Sequence, residues 1–175
     1  MVSHQKIRVS LRQAFDINRG EVISLVGGGG KTTLMFALAH ELEAAGEKVI
    51  TTTTTRILEP AAAETFLIVE PDEERLLSRV SAELNPSRCE GRHITLAAFK
   101  TPDGKLKGIS PALVDRLASF TSEGYYIIVE ADGAARKPLK APNATEPVIP
   151  ESTSMLIAVV GMDALGCRLT EENVF

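Results

Sequence analysis

The sequence predicts an α/β protein in three layers, a mainly parallel β-sheet flanked by helices. Three observations carry this reading. Short apolar, β-branched runs alternate with longer stretches of helical periodicity. The first run ends abruptly in Gly27-Gly28-Gly29-Gly30, directly before a helical pattern. A later run, Tyr125-Tyr126-Ile127-Ile128-Val129, is apolar throughout, as expected of a strand covered on both faces.

Glu21-Val22-Ile23-Ser24-Leu25-Val26 reads as the first strand. A helix follows over residues 32–45. Leu34, Leu38 and Leu42 recur on one face, and Gly46 stands where a C-terminal cap belongs. Lys48-Val49-Ile50-Thr51-Thr52 is the second strand and completes a strand–loop–helix–strand unit. Phe66-Leu67-Ile68-Val69 is a short strand. Pro71-Asp72-Glu73-Glu74 then opens an amphipathic helix carrying Leu76, Leu77, Val80 and Leu84. Residues 93–100 read as one strand, ended by a turn at Pro102-Asp103-Gly104. Ser110 and Pro111 suit the N-cap and first position of a helix reaching Phe120. After the strand at 125–129, Pro138, Pro142, Pro147 and Pro150 preclude regular structure, and residues 155–160 form a last buried strand. With no repeat and no linker, residues 1–175 are expected to form a single domain.

Nineteen basic against 23 acidic residues leave a net charge of −4, without the basic surplus that duplex nucleic acid favours. An apolar content of 44% suffices for a core and excludes disordered and low-complexity classes. The longest apolar run, residues 155–160, is far below the ~20 residues that span a bilayer. No long apolar segment follows Met1-Val2-Ser3-His4-Gln5-Lys6, so a signal peptide is not expected. Cys89 and Cys167 form no CxxC pair and read as small, at least half-buried reduced thiols of a cytoplasmic protein. His4, His40 and His93 show no ligand spacing.

Gly27, Gly28, Gly29, Gly30, Lys31, Thr32 and Thr33 lie between a strand and a helix, the context that a phosphate-binding loop demands. Glycines let the backbone approach phosphate oxygens, and their N–H groups with those of the helix N-terminus form an anion nest. Lys31 would reach the terminal phosphates of ATP or GTP and the Thr32 hydroxyl would ligate Mg2+, with Thr33 adding a phosphate contact. Leu25 replaces the first glycine of the usual G-x-x-x-x-G-K-[ST] pattern. What remains resembles the loop of the MinD-type ATPases, dethiobiotin synthetase and the urease and hydrogenase maturation GTPases. The fold implied is a P-loop NTPase-like domain. Val26 stands where that class often carries a signature lysine, so a dimer with a lysine reaching across is not expected.

The run of five threonines from Thr51 to Thr55, followed by Arg56, leaves the second strand at the sheet edge where ligands bind. Thr54, Thr55 or Arg56 acts beside the phosphates, or the run is a plain exit from the strand. Glu130-Ala131-Asp132-Gly133 ends an apolar strand in acids, the layout of a Walker B element. Asp132 is the first choice for metal and Glu130 the second, as metal support or general base. Arg136 and Lys140, in a proline-stiffened segment, are candidates to clamp phosphate or an anionic substrate, or lie on a solvated face. Asp163 follows the last strand at the same edge. No Asn-Lys-x-Asp guanine-reading motif is present.

The glycine loop, the threonine run, Glu130-Ala131-Asp132-Gly133-Ala134, Pro138-Leu139-Lys140-Ala141-Pro142, Glu146-Pro147-Val148-Ile149-Pro150 and Val159-Val160-Gly161-Met162-Asp163-Ala164-Leu165-Gly166 together resemble the YqeC family. The resemblance runs from about Leu11 to the end of the chain. It implies an accessory factor for the maturation of selenium-dependent molybdenum hydroxylases, with the molybdenum cofactor or the target hydroxylase as partner. Family members are longer, so the chain is expected to be C-terminally truncated at Asn173-Val174-Phe175. Catalytic work would fall to Lys31, Arg56, Glu130 and Asp132. The activity would be Mg2+-dependent nucleotide binding and hydrolysis. A kinase or nucleotidyl transferase acting on a small cofactor, or a switch module that does not turn over, stays open beside it.

Overall fold

The computed structural model describes residues 9–84 and 92–175; His4 and Cys89 lie outside them. A short helix α1 (Leu11–Ala14) precedes β1 (Val22–Gly27), α2 (Lys31–Ala44) and β2 (Lys48–Thr53). Next come β3 (Arg56–Leu58), β4 (Phe66–Val69), α3 (Glu73–Glu83), β5 (Arg92–Ala97), β6 (Phe99–Lys100) and β7 (Lys105–Lys107). The chain ends with α4 (Pro111–Leu117), β8 (Tyr126–Glu130) and β9 (Met155–Val159). No helix of the described residues is long and apolar enough to cross a membrane.

Six strands form one sheet in the order β4-β5-β2-β8-β1-β9, every neighbouring pair parallel. Side chains of a strand alternate between faces, and the core divides accordingly. On β8, Tyr126 and Ile128 join Met35, Phe36, Leu38, Ala39 and Leu42 of α2, whereas Ile127 and Val129 join Leu76 and Val80 of α3 and Leu113, Val114 and Leu117 of α4. Val49 and Ile50 of β2 split the same way. The fully apolar strand seen in the sequence is thus sandwiched between two helical layers, giving the three-layer α/β arrangement.

Local signals set the helix ends. Gly46 adopts φ 83° just after α2, Asp72 caps α3 through the Arg75 N–H at 2.9 Å, and Ser110 caps α4 with Pro111 as its first residue. The α-helix begun at Pro111 tightens into a 3-10 helix at Ala118, short of the expected Phe120. The buried face of α2 is carried by Lys31, Met35, Leu38, Ala39 and Leu42, while Leu34 is half-buried. Leu34 marked that face by spacing, but the buried face centres one residue further on.

Two strand readings change. Residues 93–100 are not one strand: β5 ends at Ala97, Ala98 donates its N–H to Lys107 O at 2.9 Å, and β6 enters a small antiparallel sheet in the order β3-β7-β6. Both halves keep extended backbone, so apolar pattern does not mark where the chain changes sheet. The last strand is not buried. As an edge strand, β9 buries only Ile157, while Leu156 and the following Val160 are exposed. Cys167, expected at least half-buried, is exposed.

Candidate functional site

Because β8 lies between β1 and β2, the loop leaving β1 and the acids leaving β8 meet at the carboxyl edge of the sheet. The register sets Leu25 and Thr53 on either side of Glu130, and Gly27 beside Val159. A cleft of about 740 Å³ opens there. Its lining comes from residues 28–33, with Glu130 and residues 133–136, and from Thr55 and the small-sheet residues Arg56, Ile57, Leu58, Lys105 and Lys107.

The glycines serve unequal purposes. Gly27 adopts φ 107° and gives its N–H to Asp132 Oδ2 at 2.8 Å, while Gly28 gives its N–H to Val159 O at 2.7 Å. A Cβ on Gly28 would lie 1.9 Å from Pro138 O, so the proline-rich segment packs directly on this backbone. The expected nest therefore excludes the Gly27 and Gly28 amides, which stitch the loop to β9 and Asp132. Among the described residues, no group accepts from the N–H groups of Gly29, Gly30, Lys31, Thr32 or Thr33. Those donors line the cleft at the positive end of the α2 dipole, an arrangement able to hold an anion.

Lys31 is only 3% exposed. Its Nζ donates to Gly27 O at 2.5 Å and Gly28 O at 3.2 Å and pairs with Asp132 Oδ1 at 3.0 Å. Asp132, 1% exposed, accepts the Gly27 N–H on Oδ2, while its Oδ1 faces Lys31 Nζ as an ion pair but accepts no hydrogen bond among the described residues. Of the two acids at the end of β8, Glu130 is the one that lines the cleft, and Thr32 Oγ1 donates to its Oε2 at 2.6 Å. Burial raises the Glu130 pKa above the usual carboxylate range, with the nearby Asp132 charge adding to it, against the opposing Thr32 hydrogen bond and Lys31 charge.

Each threonine of the run has a structural partner. Thr51 Oγ1 meets His93 Nε2 at 2.9 Å, Thr52 donates to Leu96 O, Thr53 to Glu130 O and Thr54 to Val148 O. The hydroxyls staple β2 to its neighbours, and of the five only Thr55 lines the cleft. Its Oγ1 lies 3.2 Å from that of Thr53.

Arg136, at φ 63°, lines the cleft with no side-chain partner among the described residues. Lys140 does not face the cleft as a clamp. Its side chain is 1% exposed, pairs with Glu146 Oε2 at 2.6 Å, donates to Gly133 O at 2.7 Å and lies over the Phe175 ring at 4.2 Å. It braces the segment from behind. Burial would raise the Glu146 pKa, but hydrogen bonds from Lys140 and the Gly133 N–H outweigh it and hold the carboxyl below its usual range. Asp163 lies exposed in a 3-10 turn and does not line the cleft. The cleft cations Lys105 and Lys107 were not singled out by sequence reading. Their signal was Lys105-Leu106-Lys107 directly after the turn at Gly104, an alternating edge whose lysines share one face. His93, for which sequence assigned no role, is buried beneath Phe36 and His40, and its pKa falls to about 4 by burial and the nearby His40.

Fold and site define a parallel-sheet α/β protein with a glycine-rich turn between β1 and α2, its unpaired amides and a buried lysine–aspartate pair at the sheet's carboxyl edge. The chain belongs to the YqeC protein family, which it matches over residues 23–175. The curated relative "Uncharacterized protein YqeC" of Escherichia coli (strain K12) is 38% identical over 156 residues, covering 89% of this chain and 57% of the relative. The chain therefore spans a little over half the length of that relative. No solved structure matches.

Proposed function

We propose that the cleft binds the polyphosphate of ATP or GTP in the manner of a P-loop and, with Mg2+, hydrolyses it. The observation that carries this reading is the row of unpartnered N–H groups from Gly29 to Thr33 lining the cleft beside Lys31. Five converging donors at a helix N-terminus suit phosphate oxygens. Lys31 supplies fixed positive charge at the loop, and Asp132 positions it. Thr32 and Glu130 offer hard oxygen donors that meet at 2.6 Å. Among the described residues no three His, Cys, Asp or Glu side chains cluster as a metal cage. That donor set fits Mg2+, which commonly takes one or two protein oxygens together with substrate phosphates and water. Thr32 and Glu130 would hold the ion, and bound Mg2+ would neutralise phosphate charge. This reading sets Glu130 before Asp132, because Glu130 lines the cleft beside Thr32 whereas Asp132 lies behind it, with Oδ2 on the Gly27 N–H and Oδ1 facing Lys31.

The family resemblance extends the proposal to an accessory role in maturing selenium-dependent molybdenum hydroxylases, with the molybdenum cofactor or the hydroxylase as partner. A second reading, transfer of a phosphoryl or nucleotidyl group to a small cofactor, is favoured by the cleft cations Arg56, Lys105 and Lys107 of the small sheet.

Calorimetric titration of ATP and GTP, with and without Mg2+, tests the proposal against Thr33→Glu. Thr33 is exposed, and a carboxylate in the first turn of α2 favours the helix while repelling phosphate. Affinity is expected to fall roughly tenfold or more in the variant without loss of stability. Absence of nucleotide binding by the parent, or equal affinity in both proteins, refutes it. Phosphate release measured with and without a pterin-type acceptor separates hydrolysis from transfer.

A further inference from the structure

We infer that Arg56 and Lys107 form a second anion subsite, on the small-sheet part of the cleft lining, for the phosphate group of a small-molecule second substrate. The inference rests on the nucleotide reading for the loop side of the cleft and on a separate observation for its own side. Arg56 and Lys107 are direct cross-strand partners in the antiparallel β3–β7 pair. Ile57 and Leu106, the alternate residues, are buried, so the two cations share the opposite face, and both line the cleft. Like charges placed directly opposite on neighbouring strands destabilise a sheet.

Other cations of the same small sheet are neutralised. Lys105 pairs with Asp103 Oδ2 at 3.2 Å and Lys100 with Glu59 Oε1 at 2.5 Å. Arg56 and Lys107 have no carboxylate partner among the described residues, in a chain whose acids outnumber its bases. The two acids lining the cleft are engaged elsewhere, Glu130 with Thr32 and Glu146 with Lys140 and the Gly133 N–H. A ligand, not the protein, is left to relieve the repulsion. A phosphate group, close to a dianion at neutral pH, matches two adjacent cations, one of them a planar guanidinium suited to bidentate contact. The loop has its own row of amide donors for the polyphosphate, which leaves this pair, on a different sheet, for a second anion.

The test titrates inorganic phosphate into the protein alone and into protein saturated with Mg2+ and the non-hydrolysable ATP analogue AMP-PNP, followed by calorimetry. The parent, R56Q and K107Q are compared. Both substitutions are at exposed or half-exposed positions and remove a repulsion, so stability should hold or rise. Phosphate is expected to bind the analogue-loaded parent and to bind either variant roughly tenfold or more weakly, with AMP-PNP affinity unchanged in K107Q. An analogue-loaded parent that binds no phosphate overturns the inference. Equal weakening of AMP-PNP in both variants also overturns it, because the pair then serves the nucleotide. If the parent binds no AMP-PNP, the nucleotide reading fails. The subsite is then judged in the unloaded protein: phosphate binding lost in both variants supports it, and binding insensitive to them overturns it.

Discussion

The Lys31–Asp132 pair permits the sharpest test of how the loop is built. Both side chains are 2% exposed and lie 3.0 Å apart. Asp132→Asn leaves the Lys31 ammonium buried without a countercharge, held by neutral oxygens such as the Gly27 and Gly28 carbonyls. Lys31→Met leaves a buried carboxylate with the Gly27 N–H alone. Removing one member of a buried pair strands a charge, at a cost of about 3 kcal/mol. For a chain of this length that corresponds to a fall in Tm of roughly 6–12 °C. Removing both members strands neither, so the double variant should lose no more than either single one. The coupling energy is then about 3 kcal/mol, read from urea denaturation of the four proteins at neutral pH. Single effects that simply add, within about 0.5 kcal/mol, would mean the two groups do not sense each other and would refute the pairing.

Neighbouring glycines should differ sharply. Gly28→Ala places a Cβ 1.9 Å from Pro138 O and should cost about 2–3 kcal/mol, whereas Gly29→Ala meets its nearest atom at 3.7 Å and should cost about 0.5 kcal/mol or less. Equal denaturation midpoints for the two would contradict the packing of the proline-rich segment on the loop. His93, with its pKa lowered from 6.5 to about 4, stays neutral in the folded protein where the unfolded chain already takes a proton. Its contribution is full above the unfolded pKa and lost as pH falls towards the folded one. Between about pH 7.5 and about pH 5 this amounts to about 2 kcal/mol. His93→Gln should flatten that part of the stability profile, and an unchanged slope would count against it. Burial holds the Glu130 pKa high, so the charged form weighs on the folded state at neutral pH. Glu130→Gln should therefore keep or raise the denaturation midpoint while removing the Mg2+-dependent part of nucleotide affinity. A lower midpoint with Mg2+ dependence intact would argue against both roles.

The sequence alone determined much of the frame. Strands at β1, β2, β4 and β8, the helix starts at Asp72 and Ser110, the Gly46 cap and the glycine turn between β1 and α2 depend on local preferences and short-range periodicity. That acids end β8 at the same edge as this turn followed once the sheet was taken as parallel, whereas the adjacency of β8 to β1 came only with the strand order. Tertiary structure alone decided which partner each polar group met. Asp132 and Glu130 lie two residues apart at the end of one strand, yet one turns into the loop to hold Lys31 and the other meets Thr32 at the cleft. Lys140 is drawn inward by Glu146, Gly133 and Phe175, while Lys107 is set opposite Arg56 by β7, whose hairpin partner β6 periodicity had merged with β5. The edge position of β9 was equally hidden, since an apolar run has the same composition whether one neighbour or two cover it. Local sequence reports conformation and the tendency to be buried. The destination of a charge depends on backbone and side chains brought beside it from tens of residues away.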